Sequence, residues 1–179
     1  VTGVQTCALP ICYGAQLVRH GVIYDDALAF AQTLAVEQGQ TFVHGFDDDA
    51  IIAGQGTIGL EVLDDLPDVA TVIVPAGGGG LVAGIATAVK QRSPGVRVYG
   101  VQTEAAPALA RSFHTTRRLT VRPGPTIADG IAIAHPGERP MALIRQYVDD
   151  VVTVDEETIA HALVLTRSEE HTSELQSQS

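Results

Sequence analysis

The chain has 179 residues and a formal net charge of −10, with its acids scattered rather than clustered. The length fits one compact domain, or one domain and part of another, and is enough to bury a core. An acidic balance without a basic track argues against nucleic acid as a partner, and no apolar run approaches the ~20 residues of a membrane span. Alanine, valine, isoleucine and leucine dominate, tryptophan is absent and glycine occurs 18 times. That mixture suits an α/β protein with buried parallel strands, and a cytoplasmic, enzyme-like domain is the expectation.

In chain order, the first segment, VTGVQTCALPI from Val1 to Ile11, shows neither a helical nor a strand period. The last, RSEEHTSELQS from Arg167 to Ser177, shows none either. With allowed codons the two can be written as opposite strands of one piece of DNA, which resembles a short sequencing adapter translated at both ends. Residues 1–12 and 167–179 are therefore expected to be non-native scars and are set aside. Cys7 and Cys12 go with the first scar, so they carry no inference about redox compartment.

Within Tyr13 to Thr166, Ala15 to Arg19 alternates like a strand. Asp25 or Asp26 can cap a helix in which Ala27, Phe30, Ala31, Leu34 and Ala35 share one face and which Gly39 closes. Thr41 to Val43 is predicted as a short strand, Phe46 to Asp49 as a turn, and Ile58 to Leu66 as a helix ended by Pro67. Thr71 to Val74 is fully apolar, as a buried parallel strand would be. A helix over Leu81 to Gln91 stops at Ser93-Pro94-Gly95, and Val96 to Val101 is the next strand. Ala105 to Phe113 is a helix, Arg117 to Gly130 is loop, Pro140 to Tyr147 is a short helix and Val151 to Val154 a strand. Asp155 caps a last helix, Glu156 to Leu165. Alternating strand and helix predicts a doubly wound, mostly parallel sheet.

Two glycine motifs compete as the site. Gly54-Gln55-Gly56-Thr57-Ile58-Gly59 satisfies G-x-G-x-x-G, but DDDAIIA before it is no clean strand, and the strand after it ends in Pro75-Ala76-Gly77 without the acid that would hold a ribose. These glycines are expected to let a loop turn tightly into a helix. Gly77 to Gly80 instead follows an apolar strand and opens a helix. Several backbone N–H groups then lie at a helix N-terminus, where the dipole favours a phosphate. Glycine is expected there because a β-carbon would hold the backbone off the anion. No Lys-Ser/Thr follows, so the loop is not of the Walker type.

From Tyr13 to Thr166 the chain resembles the fold-type-II pyridoxal-phosphate enzymes, within them the threonine ammonia-lyases and serine racemases. The stretches that carry the resemblance are YGA at Tyr13, YDDA at Tyr24, HGFDD at His44, AGQGTIGLEVL from Ala53, VPAGGGGLVAGIA from Val74, YGVQTEAAPAL from Tyr99, TIADGIAI from Thr126 and VDDVVTVDEETI from Val148. The four-glycine loop running into Leu81 points to the ammonia-lyase and racemase branch.

The resemblance implies that Gly77, Gly78, Gly79, Gly80 and Leu81 hold the phosphate of pyridoxal phosphate through backbone N–H groups, with Gly130 lining the ring less directly. Asp129 is expected to cap the turn that contains Gly130. His44, His114 and His135 lack ligand spacing and read as surface or turn residues, and Glu104 is a candidate exposed carboxylate. Gln102 and Ala108 stand where serine racemases place metal-binding acids, so no metal is expected. The family's lysine base would lie upstream. The only lysine present, Lys90, is expected to be a solvated surface residue, and no catalytic residue is assigned.

The resemblance thus implies a fragment of the two-domain fold-type-II architecture. Residues 13–46 would be a remnant of the small domain and 47–166 the core of the large, cofactor-binding one. The parent would be a homo-oligomeric enzyme of amino-acid metabolism, isoleucine biosynthesis included. It would deaminate threonine, and serine with it, to a 2-oxo acid and ammonia, while the fragment itself would be inactive. A serine racemase is the alternative inside the class. A Rossmann oxidoreductase and a non-enzymatic phosphate-binding module are the alternatives outside it.

Overall fold

A computed structural model of the chain describes residues 14–176, with side chains to residue 167. The chain divides into two compact units at Phe42/Val43. The scar expected at residues 1–12 lies outside the described residues.

The first unit holds one helix, α1 (Tyr24–Glu37). The Asp26 carboxylate accepts the N–H groups of Val22 (2.9 Å) and Ile23 (3.2 Å), so an acid in the first turn satisfies donors that a helix start leaves open. His20 stacks on Phe30 at 4.1 Å. The strands expected at Ala15 to Arg19 and Thr41 to Val43 are not strands. Neither stretch pairs with another strand among the described residues, and alternation alone cannot satisfy a strand's backbone groups.

The second unit is an α/β arrangement with a parallel sheet, the fold class that the alternation predicted. Its elements are α2 (Asp49–Asp65), β1 (Thr71–Pro75), α3 (Gly80–Arg92), β2 (Arg97–Thr103), α4 (Ala108–Phe113), α5 (Glu138–Tyr147), β3 (Asp150–Val154) and α6 (Glu156–Gln176). The strands run parallel in the order β1-β2-β3, with Val74 opposite Gly100 and Gly100 opposite Val151. That row faces the core, where Val74, Val98 and Val151 pack with Val82, Ile85 and Val89 of α3 and with Met141 and Ile144 of α5. Full burial of a side chain such as Ile144 stabilises by about 1.5–3 kcal/mol. The opposite face carries Ile73 and Val152, 67% and 42% exposed.

The largest departure from the sequence reading is α2. It begins at Asp49, capped by Asp48, whose carboxylate accepts Ala50 N–H (2.8 Å) and Ile51 N–H (3.3 Å). Gly54 and Gly56 therefore lie inside a helix, with Gly59, rather than in a loop before one. Gly56 and Gly59 are buried against α3: a β-carbon on Gly56 would sit 3.2 Å from Gly84 O, and one on Gly59 3.0 Å from Ile85 O. Close backbone approach between two helices requires these glycines. Gly54 meets nothing within 4 Å.

Two boundaries also shift. α4 starts at Ala108 rather than Ala105 because a turn, Ala106 N–H to Thr103 O at 3.1 Å, occupies the stretch before it. α6 continues from Glu156 through the segment read as a scar to Gln176, since nothing between them breaks a helix: the stretch has no Gly or Pro. No helix among the described residues is long and apolar enough to cross a membrane.

Candidate functional site

The second glycine motif occupies the carboxyl end of β1. Ala76 N–H donates to Val101 O at 2.8 Å, carrying the parallel ladder one residue past the strand. The backbone then turns into α3 through Gly79, whose φ of +103° is the left-handed conformation that glycine tolerates. Ala83 N–H to Gly79 O (2.9 Å) closes the first helical bond. Among the described residues, the N–H groups of Gly77, Gly78, Gly79, Gly80 and Leu81 donate to no protein acceptor. Five consecutive open donors at the positive end of a 13-residue helix, with no acid in its first turn, form an anion-binding arrangement.

The structure adds a second reason for the glycines. A β-carbon on Gly78 would strike the Phe46 ring, and one on Gly80 would lie 2.8 Å from Phe46 O. One on Gly79 would lie 2.9 Å from Pro140 Cβ and Ile144 Cδ1. Protein fills the side-chain positions, so packing by itself demands glycine here, while the donors are open because they lie at a helix start.

Gly130 is brought to the same place. A β-carbon on Gly77 would sit 3.0 Å from Ile131 Cα, so the loop abuts the 3-10 turn Asp129–Ile131, while Gly130 itself is exposed and faces open space. Asp129 does not cap this turn through its side chain. Glu156, which the sequence reading passed over as a helix start, anchors the segment instead. Its carboxylate accepts Thr126 Oγ1–H (2.6 Å), Thr103 Oγ1–H (2.8 Å) and Ile127 N–H (2.9 Å). The bonds from Thr126, Ile127 and Thr103, in that order, hold the Glu156 carboxyl below its ordinary pKa.

Lys90 also differs from expectation. Its side chain is only 17% exposed, and Nζ lies 2.8 Å from Asp149 Oδ2. Asp149 further accepts Val98 N–H at 2.6 Å. Burial pushes the Asp149 carboxyl up, but bonds from Lys90 and Val98, with the charges of Lys90 and Arg97, outweigh it and leave the pKa lowered. Ten residues along α3 from Gly80, Lys90 is roughly 15 Å from the loop. It is an ion-paired structural lysine.

His44, His114 and His135 sit in turns or at edges. His44 Nδ1 accepts two backbone N–H groups, His114 Nε2 lies 3.0 Å from Val151 O, and His135 Nδ1 lies 2.7 Å from Thr120 Oγ1. Glu104 is exposed and lines, with Arg111, His114 and Asp150, a cleft of ≈ 860 Å³ that no glycine-loop residue lines. The row of open donors in the glycine loop decides the site here.

The family of pyridoxal-phosphate dependent enzymes matches residues 5–173. The chain belongs to that family. Over 151 residues it is 48% identical to the L-threonine ammonia-lyase of Thermotoga maritima, an alignment that takes in 84% of this chain and 38% of the relative. The processed form of threonine deaminase isoform 2 from Solanum lycopersicum superposes with a TM-score of 0.75 at 36% identity, over 81% of this chain and 42% of that one. Maize serine racemase superposes with a TM-score of 0.79 at 31% identity, over 87% and 48%. The chain thus spans well under two thirds of the length of each protein it is compared with here. For this family the loop fits the phosphate of pyridoxal phosphate: its donors are open, and Gly130 leaves space beside them.

Proposed function

We propose that this chain is part of a pyridoxal-phosphate dependent ammonia-lyase that converts threonine, and serine with it, to a 2-oxo acid and ammonia. The observation that carries the reading is the row of open N–H groups from Gly77 to Leu81, in a chain 48% identical to a threonine ammonia-lyase. Residues 13–46 would end the smaller domain and 47–166 would form the core of the cofactor-binding one. The contact boundary at Phe42/Val43 supports a division close to that point.

When bound, pyridoxal phosphate supplies a ring that accepts electrons from the substrate Cα. The contribution of this chain is the anion grip. Gly77 to Leu81 would donate N–H groups to the phosphate, and the dipole of α3 would favour its charge. Gly130 would let the ring approach the backbone, and Glu156 would hold the Gly130 turn against the loop. No described side chain stands ready as the amine base, because Lys90 is held by Asp149. The similarity to maize serine racemase keeps racemisation as the second reading, and it would use the same grip.

The test follows backbone amide resonances of the labelled chain. Inorganic phosphate and pyridoxal phosphate should each shift Gly77 to Leu81 and compete with one another. Borohydride should leave no specific adduct on Lys90, and threonine should yield no 2-oxobutanoate. Shifts confined to other residues would overturn the grip. Turnover with labelled Lys90 would overturn the inert status of this portion.

A further inference from the structure

The turn after residue 43 reaches the glycine loop by two routes. His44 Nδ1 accepts Phe46 N–H at 3.2 Å and Asp47 N–H at 2.9 Å. An atom that accepts two N–H groups carries a lone pair, so a neutral ring has its proton on Nε2. The arrangement is an Asx-type turn with a ring nitrogen in place of a side-chain oxygen.

Closing this turn places Phe46 and Asp47. The Phe46 ring stands edge-on to His44, with centroids 4.7 Å apart, and fills the side-chain position of Gly78. Asp47 accepts Glu138 N–H (2.9 Å) and Arg139 N–H (3.0 Å), the first two donors of α5. The Arg139 guanidinium returns a bond to Asp47 O at 3.2 Å. Gly137, the residue before α5, donates its N–H to Gly78 O at 2.9 Å.

That last bond sets direction. In a trans peptide the C=O and the following N–H point opposite ways. Holding Gly78 O toward the start of α5 therefore aims Gly79 N–H away from it. We propose that His44 is a positioning residue for the anion grip: its Nδ1 lone pair shapes the turn through which Phe46 and Asp47 fix the Gly78–Gly79 peptide. The inference rests on the reading of this loop as a phosphate grip.

The experiment compares the full chain with His44→Asn and His44→Leu. Asparagine can offer Oδ1 to the same two N–H groups, whereas leucine fills space and accepts nothing. Amide shifts of Gly79 and Gly80 are followed during titration with inorganic phosphate, and melting by circular dichroism confirms folding. Leucine should weaken phosphate binding at least tenfold, and asparagine should restore most of it. The imidazole nitrogen spectrum of the unsubstituted chain should show Nδ1 unprotonated. Leucine binding like the unsubstituted chain, equal losses in both variants, or a proton on Nδ1 would each overturn the proposal. Should leucine fail to fold, asparagine decides: retained binding supports the role of the acceptor and lost binding refutes it. Should phosphate shift nothing in the unsubstituted chain, the grip reading fails separately. The His44 role is then judged from ligand-free Gly79 shifts, which leucine must move and asparagine must not.

Discussion

Replacing Gly54, Gly56 and Gly59 by alanine, one at a time, separates a helix-packing motif from a nucleotide loop. All three lie inside α2, so each alanine gains helix propensity of about 0.8–1 kcal/mol over glycine. At Gly54 nothing opposes the gain, since no atom lies within 4 Å of the new β-carbon. That variant should be stabilised by about 1 kcal/mol, or roughly 2–4 °C in Tm for a chain of this size. At Gly59 the β-carbon would sit 3.0 Å from Ile85 O and 3.1 Å from Val89 Cγ2. A carbonyl in a packed helix has no rotamer to change, so the overpacking cost of about 1–3 kcal/mol should exceed the propensity gain. Gly56, at 3.2 Å from Gly84 O, should fall near zero or slightly below. Gly84 is the sharpest probe of the same contact, because its β-carbon would strike Ile52 O and come within 2.8 Å of Gly56 N. Its alanine variant should lose about 3 kcal/mol or more. Urea unfolding followed by circular dichroism reads all four. Equal effects at Gly54, Gly56 and Gly59, or Gly54 as the costliest, would refute the packing argument.

Gly79→Ala combines a left-handed φ with contacts at 2.9 Å, and should cost at least about 2 kcal/mol in the same unfolding assay. Asp149 has a folded pKa below its ordinary value of 3.8, so its contribution is complete above that value and fades as pH falls through the folded one. Lys90→Met should raise the pKa of Asp149 and move the acid-unfolding midpoint to higher pH; an unchanged midpoint would count against the pair. Glu156→Gln turns one acceptor oxygen into an NH₂ group, and hydrogen exchange at Ile127 N–H should quicken, with Val98 N–H as the unaffected control.

What the sequence determined by itself is local or repetitive. The apolar run at Thr71 to Val74, the helix after Gly80 and the strand at Val96 to Val101 each carry their period within a few residues, and the structure places elements there. The glycine loop was legible for the same reason, since an apolar strand, four glycines and a helix are contiguous. The tertiary structure decided what contiguity cannot encode. Gly54 to Gly59 reads as a turn until α3 lies across it, because the letters of a glycine motif do not record whether a second helix packs on it. Phe46 reaches the loop across 32 residues of chain, and Glu156 joins Thr103 to Thr126 from 30 or more residues away. Such partners have no period between them. They meet because the parallel sheet gathers the ends of β1 and β2 at one edge, and because a buried backbone group must find its hydrogen bond wherever the fold supplies one.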